Sequence, residues 1–122
     1  VDSDQEAEIV RVINRFAVPS ADATDFRERA HAALGALASC PGYLRGELIR
    51  ALDDEHEWCL VTEWESVGTY RRALGSFDVK INATPLLAQS RDEPSAFETL
   101  AVVGSGGELE SRPSDRATDP GR

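Results

Sequence analysis

Apolar side chains recur with two different periods along this chain, and the change between them near residue 65 organises the rest. From Trp58 to Trp64 the period is two. Trp58, Leu60, Thr62 and Trp64 share one side and Cys59, Val61 and Glu63 the other, as in a half-buried strand. Beyond Ser66, a good N-cap residue, Val67, Tyr70, Ala73 and Leu74 fall on one helical stripe that Gly75 closes. Trp64 and Tyr70 therefore flank a strand-to-helix junction and point toward the same space between sheet and helix.

The same reading places the other elements. A first strand runs from about Glu8 to Val18, with Val10, Val12, Asn14, Phe16 and Val18 on one face. Asn14 stands out, because an amide left unpaired on an apolar face costs on the order of 1–3 kcal/mol. Either it satisfies a neighbouring loop or it meets a ligand. Pro19 ends the strand, and a helix follows from Asp22–Asp25 to about Ser39, buried through Phe26, Ala30, Ala33, Leu34 and Leu37. Tyr43 to Leu52 reads as the second strand, with Leu44, Gly46, Leu48 and Leu52 on one face and Tyr43, Arg45, Glu47, Ile49 and Ala51 on the other. Gly46 leaves a gap that suits either a flat ligand or, more commonly, a bulge. After the Trp64 junction come a segment from Ser76 through Ala83, a turn opened by Pro85, and a last strand from Ser95 to Val103.

The order strand, helix, strand, strand, helix, strand is the split pattern of a ferredoxin-like α+β fold with an antiparallel sheet. Helices cover one face of such a sheet. The other face would carry Ile9, Ile13, Tyr43, Ile49, Cys59, Val61 and Phe97, a patch that calls for a partner, and a two-fold homodimer packed sheet to sheet is expected. The domain spans residues 8–103, between an acidic arm at 1–7 and a Gly/Ser/Pro-rich tail at 104–122, both expected to be disordered.

Composition removes several classes of function. A net charge of −9 repels nucleic acid. No stretch has the length and apolarity of a membrane span, so a cytoplasmic protein is the default expectation. Cys40 and Cys59 lie too far apart for a metal pair and read as free thiols of a reducing compartment. His31 lies off the helix stripe and His56 in an acidic turn, both surface positions. No phosphate loop, nucleotide fingerprint or hydrolytic triad is present.

The run Trp64-Glu65-Ser66, three residues, then Tyr70-Arg71 resembles the W-E-S-x-x-x-Y-R signature of the antibiotic biosynthesis monooxygenase family, over roughly Glu8 to Val102. The resemblance implies a dimeric α+β barrel that oxidises an aromatic polyketide or quinol-like small molecule with dioxygen and without a cofactor. It assigns Trp64, Tyr70 and Asn14 as catalytic, with Leu60, Thr62, Phe16, Leu44 and Leu74 lining the substrate site and no metal. Polyketide oxygenases of the family carry an Asn where this chain has Leu60. Haem-degrading relatives have a Trp and a His where it has Ala73 and Ala83, which argues against haem. A polyketide cyclase of the same fold and a non-catalytic small-molecule-binding dimer are the alternative readings. All of them need Trp64, Tyr70 and Asn14 to converge on a hollow.

Overall fold

Three long strands carry the alternation through as expected. In a computed structural model that describes residues 9–114, β1 (Val10–Ala17) and β2 (Tyr43–Arg50) lie on either side of β3 (Glu57–Trp64). All pairings are antiparallel, and β4 (Ala96–Glu98) completes the sheet in the order β2-β3-β1-β4. The expected acidic arm at 1–7 lies outside the described residues, as does the expected tail from residue 115 onward.

Helix α1 (Ala23–Ala38) follows β1 through a 3-10 turn at Ser20–Asp22 and buries Phe26, Ala30, Ala33, Ala36 and Leu37. Leu34, expected on this stripe, sits at its margin and is only partly buried. Helix α2 (Val67–Leu74) begins where the strand period ends. The Ser66 side chain accepts the Thr69 N–H at 3.1 Å while the Thr69 hydroxyl accepts the Ser66 N–H at 3.2 Å, a reciprocal capping box. Two short helices, α3 (Phe77–Asn82), capped by Ser76, and α4 (Thr84–Leu87), opened by Pro85, carry the chain back across the sheet. Val79, Ala83 and Leu86 from these segments pack with Val12, Phe16, Leu37, Leu60 and Trp64 into one core on the helical side. This is the ferredoxin-like α+β arrangement, its second helical layer broken into three pieces.

Two features depart from the periodic reading. The register of β2 against β3 shifts between Tyr43 and Arg45, so Tyr43 lies opposite Trp64 while Gly46 lies opposite Thr62. This bulge moves Tyr43 from the uncovered face to the helical one and puts Leu44 out of the ladder, 45% exposed. The last strand also divides. Thr99 still donates its N–H to the Ile9 carbonyl, but the Leu100 carbonyl accepts from Arg112, and the chain leaves the sheet as a hairpin of β5 (Ala101–Val103) and β6 (Leu109–Ser111). Gly104–Gly107, read in the sequence as the start of a tail, forms its turn, with the Gly107 N–H on the Gly104 carbonyl and Gly107 at φ +86°.

On the uncovered face Ile49 and Phe97 are about half exposed, whereas Val61 is 7% exposed. Arg11–Glu63, Arg15–Glu57 and Arg45–Glu47 ion pairs flank this apolar strip. No helix among the described residues is long and apolar enough to cross a membrane.

Candidate active site

The strand-to-helix junction builds the aromatic centre of the molecule. Trp64, the last residue of β3, is fully buried. One turn into α2, Tyr70 approaches it with ring centroids 5.5 Å apart, and from the bulge in β2 Tyr43 meets it edge-on at 5.4 Å and 87°. The Trp64 indole N–H donates to the Thr62 hydroxyl two residues back on the same face, at 2.9 Å. Thr62 therefore keeps its own hydroxyl proton to donate. Neither phenol has a hydrogen-bond partner among the described residues. Burial pushes the Tyr70 phenol above its ordinary value of 10.0. Tyr43 is raised too, by burial, with nearby Arg45 opposing. Both hydroxyls are protonated donors at neutral pH.

Asn14 shares this sheet face but stands apart. It pairs with Leu60, four residues before Trp64 along β3, which places it about 13 Å down the strand. Its carboxamide is half-buried and has no hydrogen-bond partner among the described residues, so it is not serving a loop. Trp64 and Tyr70 thus come together as expected, while Asn14, expected to converge with them, does not. Between them lie Thr62 and Leu60, both buried and contiguous with Val12. The expected hollow at Trp64 is filled by Tyr43, Tyr70 and Thr62.

Of the other expected lining residues, Leu74 is partly buried against the core, and Phe16 packs edge-on to Phe26 at 5.0 Å, at the far end of the face. Leu44 is displaced by the bulge into solvent and lines nothing on this face; Tyr43 takes the place expected for it. Tyr43 is the residue of this aromatic centre that alternation misses, because the slip that places it lies between Tyr43 and Arg45.

Surface clefts among the described residues are not lined by Trp64 itself. One of about 360 Å³ lies between α1 and β2, lined by Arg27, Glu28, His31, Leu34 and Leu48. Another, of about 300 Å³, lies beside Phe16, Phe26 and Asp25, and a third beside Pro19 and His56. His31 thus borders a cleft rather than bare solvent. His56 is exposed, with Nε2 3.1 Å from the Ser20 hydroxyl. Cys40 and Cys59 are free and half-buried, and burial raises Cys59 above its ordinary 9.0, helped by Glu57. Among the described residues no group of three or more His, Cys, Asp and Glu side chains could hold a metal ion.

Comparison with known proteins places the fold and the family. The chain is 28% identical over 103 residues to deoxynogalonate monooxygenase of Streptomyces nogalater, covering 84% of this chain and 86% of that protein. The crystal structure of SnoaB, a cofactor-independent oxygenase from Streptomyces nogalater, superposes with a TM-score of 0.64 at 31% identity, over 75% of this chain and 92% of that one. A conserved protein from Methanosarcina mazei shares the fold at 16% identity, with a TM-score of 0.63 over 80% of this chain and 97% of its own. Residues 9–80 match the profile of the antibiotic biosynthesis monooxygenases, and the chain, with its Trp64–Tyr70 pair at the strand-to-helix junction, belongs to that family.

Proposed function

We propose that the protein is a cofactor-independent monooxygenase that oxidises an aromatic polyketide or quinol-like molecule with dioxygen. The observation that carries the reading is the Trp64–Tyr70 pair beside Thr62, and because the space around Trp64 is filled, a substrate reaches it only by displacing a neighbouring side chain. The likeness to SnoaB supports it.

An anthrone-like substrate has a C–H made acidic by its carbonyl. With both histidines outside this centre, that proton passes to solvent water before the substrate is fully enclosed. The carbanion then gives one electron to dioxygen, and the enclosed radical pair recombines as a carbon-bound peroxide. Tyr70 supplies a proton to the distal peroxide oxygen. Loss of water then leaves one oxygen atom on the substrate as a quinone carbonyl. Favouring an anion in a water-poor enclosure is the main demand on the protein. On this reading the Thr62 hydroxyl, held by the Trp64 N–H, donates to the substrate oxygen that bears the charge, and Asn14 orients the opposite end. Leu60, where polyketide oxygenases carry an Asn, gives apolar contact in between.

Oxygen uptake with 1,8-dihydroxyanthrone, without added metal or flavin, tests the reading. Tyr70→Phe should lower kcat at least about tenfold with little change in KM, as expected for loss of a proton donor. A purified, folded protein that binds the anthrone but leaves oxygen consumption at the buffer rate would point instead to a non-catalytic binding module, and one that neither binds nor turns it over would leave Trp64 and Tyr70 as core anchors, the role their filled surroundings fit.

The uncovered sheet face, with Ile13, Ile49 and Phe97 beside buried Val61, fits a second copy packed sheet to sheet. Sedimentation at micromolar concentration should give a dimer mass, and Ile49→Arg should shift it toward monomer.

A further inference from the structure

The α1–β2 cleft and the aromatic centre are neighbours separated by one side chain. Leu34 of α1 and Leu48 of β2 line the cleft, and Leu48 stands opposite Leu60, one same-face pair along from Gly46 and Thr62. A β-carbon built on Gly46 would collide with the Tyr43 hydroxyl, and would come within 2.8 Å of Leu34 Cδ2 and 3.3 Å of Thr62 Cγ2. The tip of Tyr43 therefore occupies the gap that Gly46 leaves, between the cleft wall at Leu34 and the Thr62 side chain that holds Trp64.

The backbone around Tyr43 is pinned. Its N–H donates to the Cys40 carbonyl, and the preceding Gly42 carbonyl accepts from Glu65. The side chain is held by packing alone, its ring edge-on to Trp64 at 5.4 Å: the hydroxyl has no hydrogen-bond partner among the described residues, and the ring is only partly buried. Rotation about χ1 moves the phenol without moving the strand, which is a gate on a fixed post.

We propose that the α1–β2 cleft is the entrance for a flat aromatic substrate with an acidic oxygen, and that Tyr43 is the gate whose displacement from above Gly46 opens the way to Thr62 and Trp64. The apolar side chains of Leu34 and Leu48 accept a ring face, and the Arg27 and His31 side chains at the rim suit a phenolate or carboxylate, with Glu28 the opposing charge. With Tyr43 swung aside, a ligand entering here passes over Gly46, which adds no side chain of its own, to the Thr62 hydroxyl. Tyr43 thereby sets the thickness and width of what can pass. The substrate class rests on the oxygenase reading; the gate does not.

The chain has two tryptophans, so Trp58→Phe leaves Trp64 as the lone indole fluorophore. In that background acrylamide should quench Trp64 weakly, and Tyr43→Ala should raise the quenching constant severalfold while Tyr43→Phe leaves it near the parent value. Gly46→Ala is the converse variant, because its new methyl stands in the passage itself, against Leu34 and Thr62, and it should slow entry of a flat aromatic probe severalfold. With 1,8-dihydroxyanthraquinone as the probe, energy transfer from Trp64 should report binding, and Leu34→Arg should slow association at least about tenfold. Unchanged quenching in Tyr43→Ala, or unchanged association in both Leu34→Arg and Gly46→Ala, would overturn the gate. Oxygen uptake separates the two ideas. Probe entry through the cleft without turnover sinks the oxygenase and spares the gate, whereas anthrone oxidation unaffected by Leu34→Arg does the reverse.

Discussion

Two indoles on one strand face stand in opposite polar circumstances. Trp64 donates its N–H to Thr62, while Trp58, equally buried, has no partner for its own N–H among the described residues and is held by Phe26 at 5.5 Å and by the Arg50 guanidinium 4.9 Å from its ring. Replacing Trp64 with Phe strands the Thr62 hydroxyl and leaves a void, at a cost of about 2–4 kcal/mol. Replacing Trp58 with Phe removes an unsatisfied donor along with the lost volume, so its cost should be smaller, about 1 kcal/mol. Urea denaturation of the two variants checks the order, and equal midpoints would contradict it. The Trp64–Tyr70 pairing was readable in the chain because both lie within seven residues, across one change of period. Tyr43 was not, because its face depends on a one-residue slip that only pairing with β3 reveals.

Helix α2 is held at its start by the reciprocal bonds of Ser66 and Thr69, so Ser66→Ala should destabilise by about 1 kcal/mol. Just before β2, Gly42 adopts φ +91°, and a β-carbon there would run into the Thr69 side chain. Gly42→Ala therefore combines backbone strain with a clash against the capping box, and should cost more than Ser66→Ala, about 2–3 kcal/mol. Thermal unfolding of both measures the difference, and a Gly42→Ala midpoint at or above that of Ser66→Ala would mean that the turn relaxes. The cap was legible from Ser66 alone. The link between this cap and the turn before β2 was not, since residues 42 and 69 meet only once β2 and β3 are paired. The end of the sheet was misread for a similar reason. Ser95–Val103 alternates well enough for one strand, but Leu100 pairs with Arg112 and the glycine run that follows closes a hairpin.

For the molecule taken together, burial of phenols and a thiol sets a pH dependence at the alkaline end. Tyr70 and Tyr43 are raised above 10.0 and Cys59 above 9.0, each with burial as the first cause. A group raised in the folded state contributes stability that is complete below its unfolded pKa and is lost as pH climbs through the folded one. Stability should hold to about pH 8.5 and fall progressively above about pH 9–10. Urea midpoints across that range check this, and in Tyr70→Phe the decline should be shallower. A decline of the same slope in parent and variant would assign it to other groups.

Much of the architecture was written in one dimension. Hydrophobic period, a cap at Ser66 and breakers at Pro19 and Pro85 are local, so they specify strands, helices, their order and hence the ferredoxin-like α+β class before any contact is known. Trp64 and Tyr70 were legible for the same reason. Position across the sheet is not local. The slip at Leu44 that turns Tyr43 inward, the placement of Asn14 about 13 Å from Trp64 and the filling of the space around the indole all follow from register and packing. Those depend on which strands meet and where, a choice made by the free energy of the entire core rather than by any stretch of it.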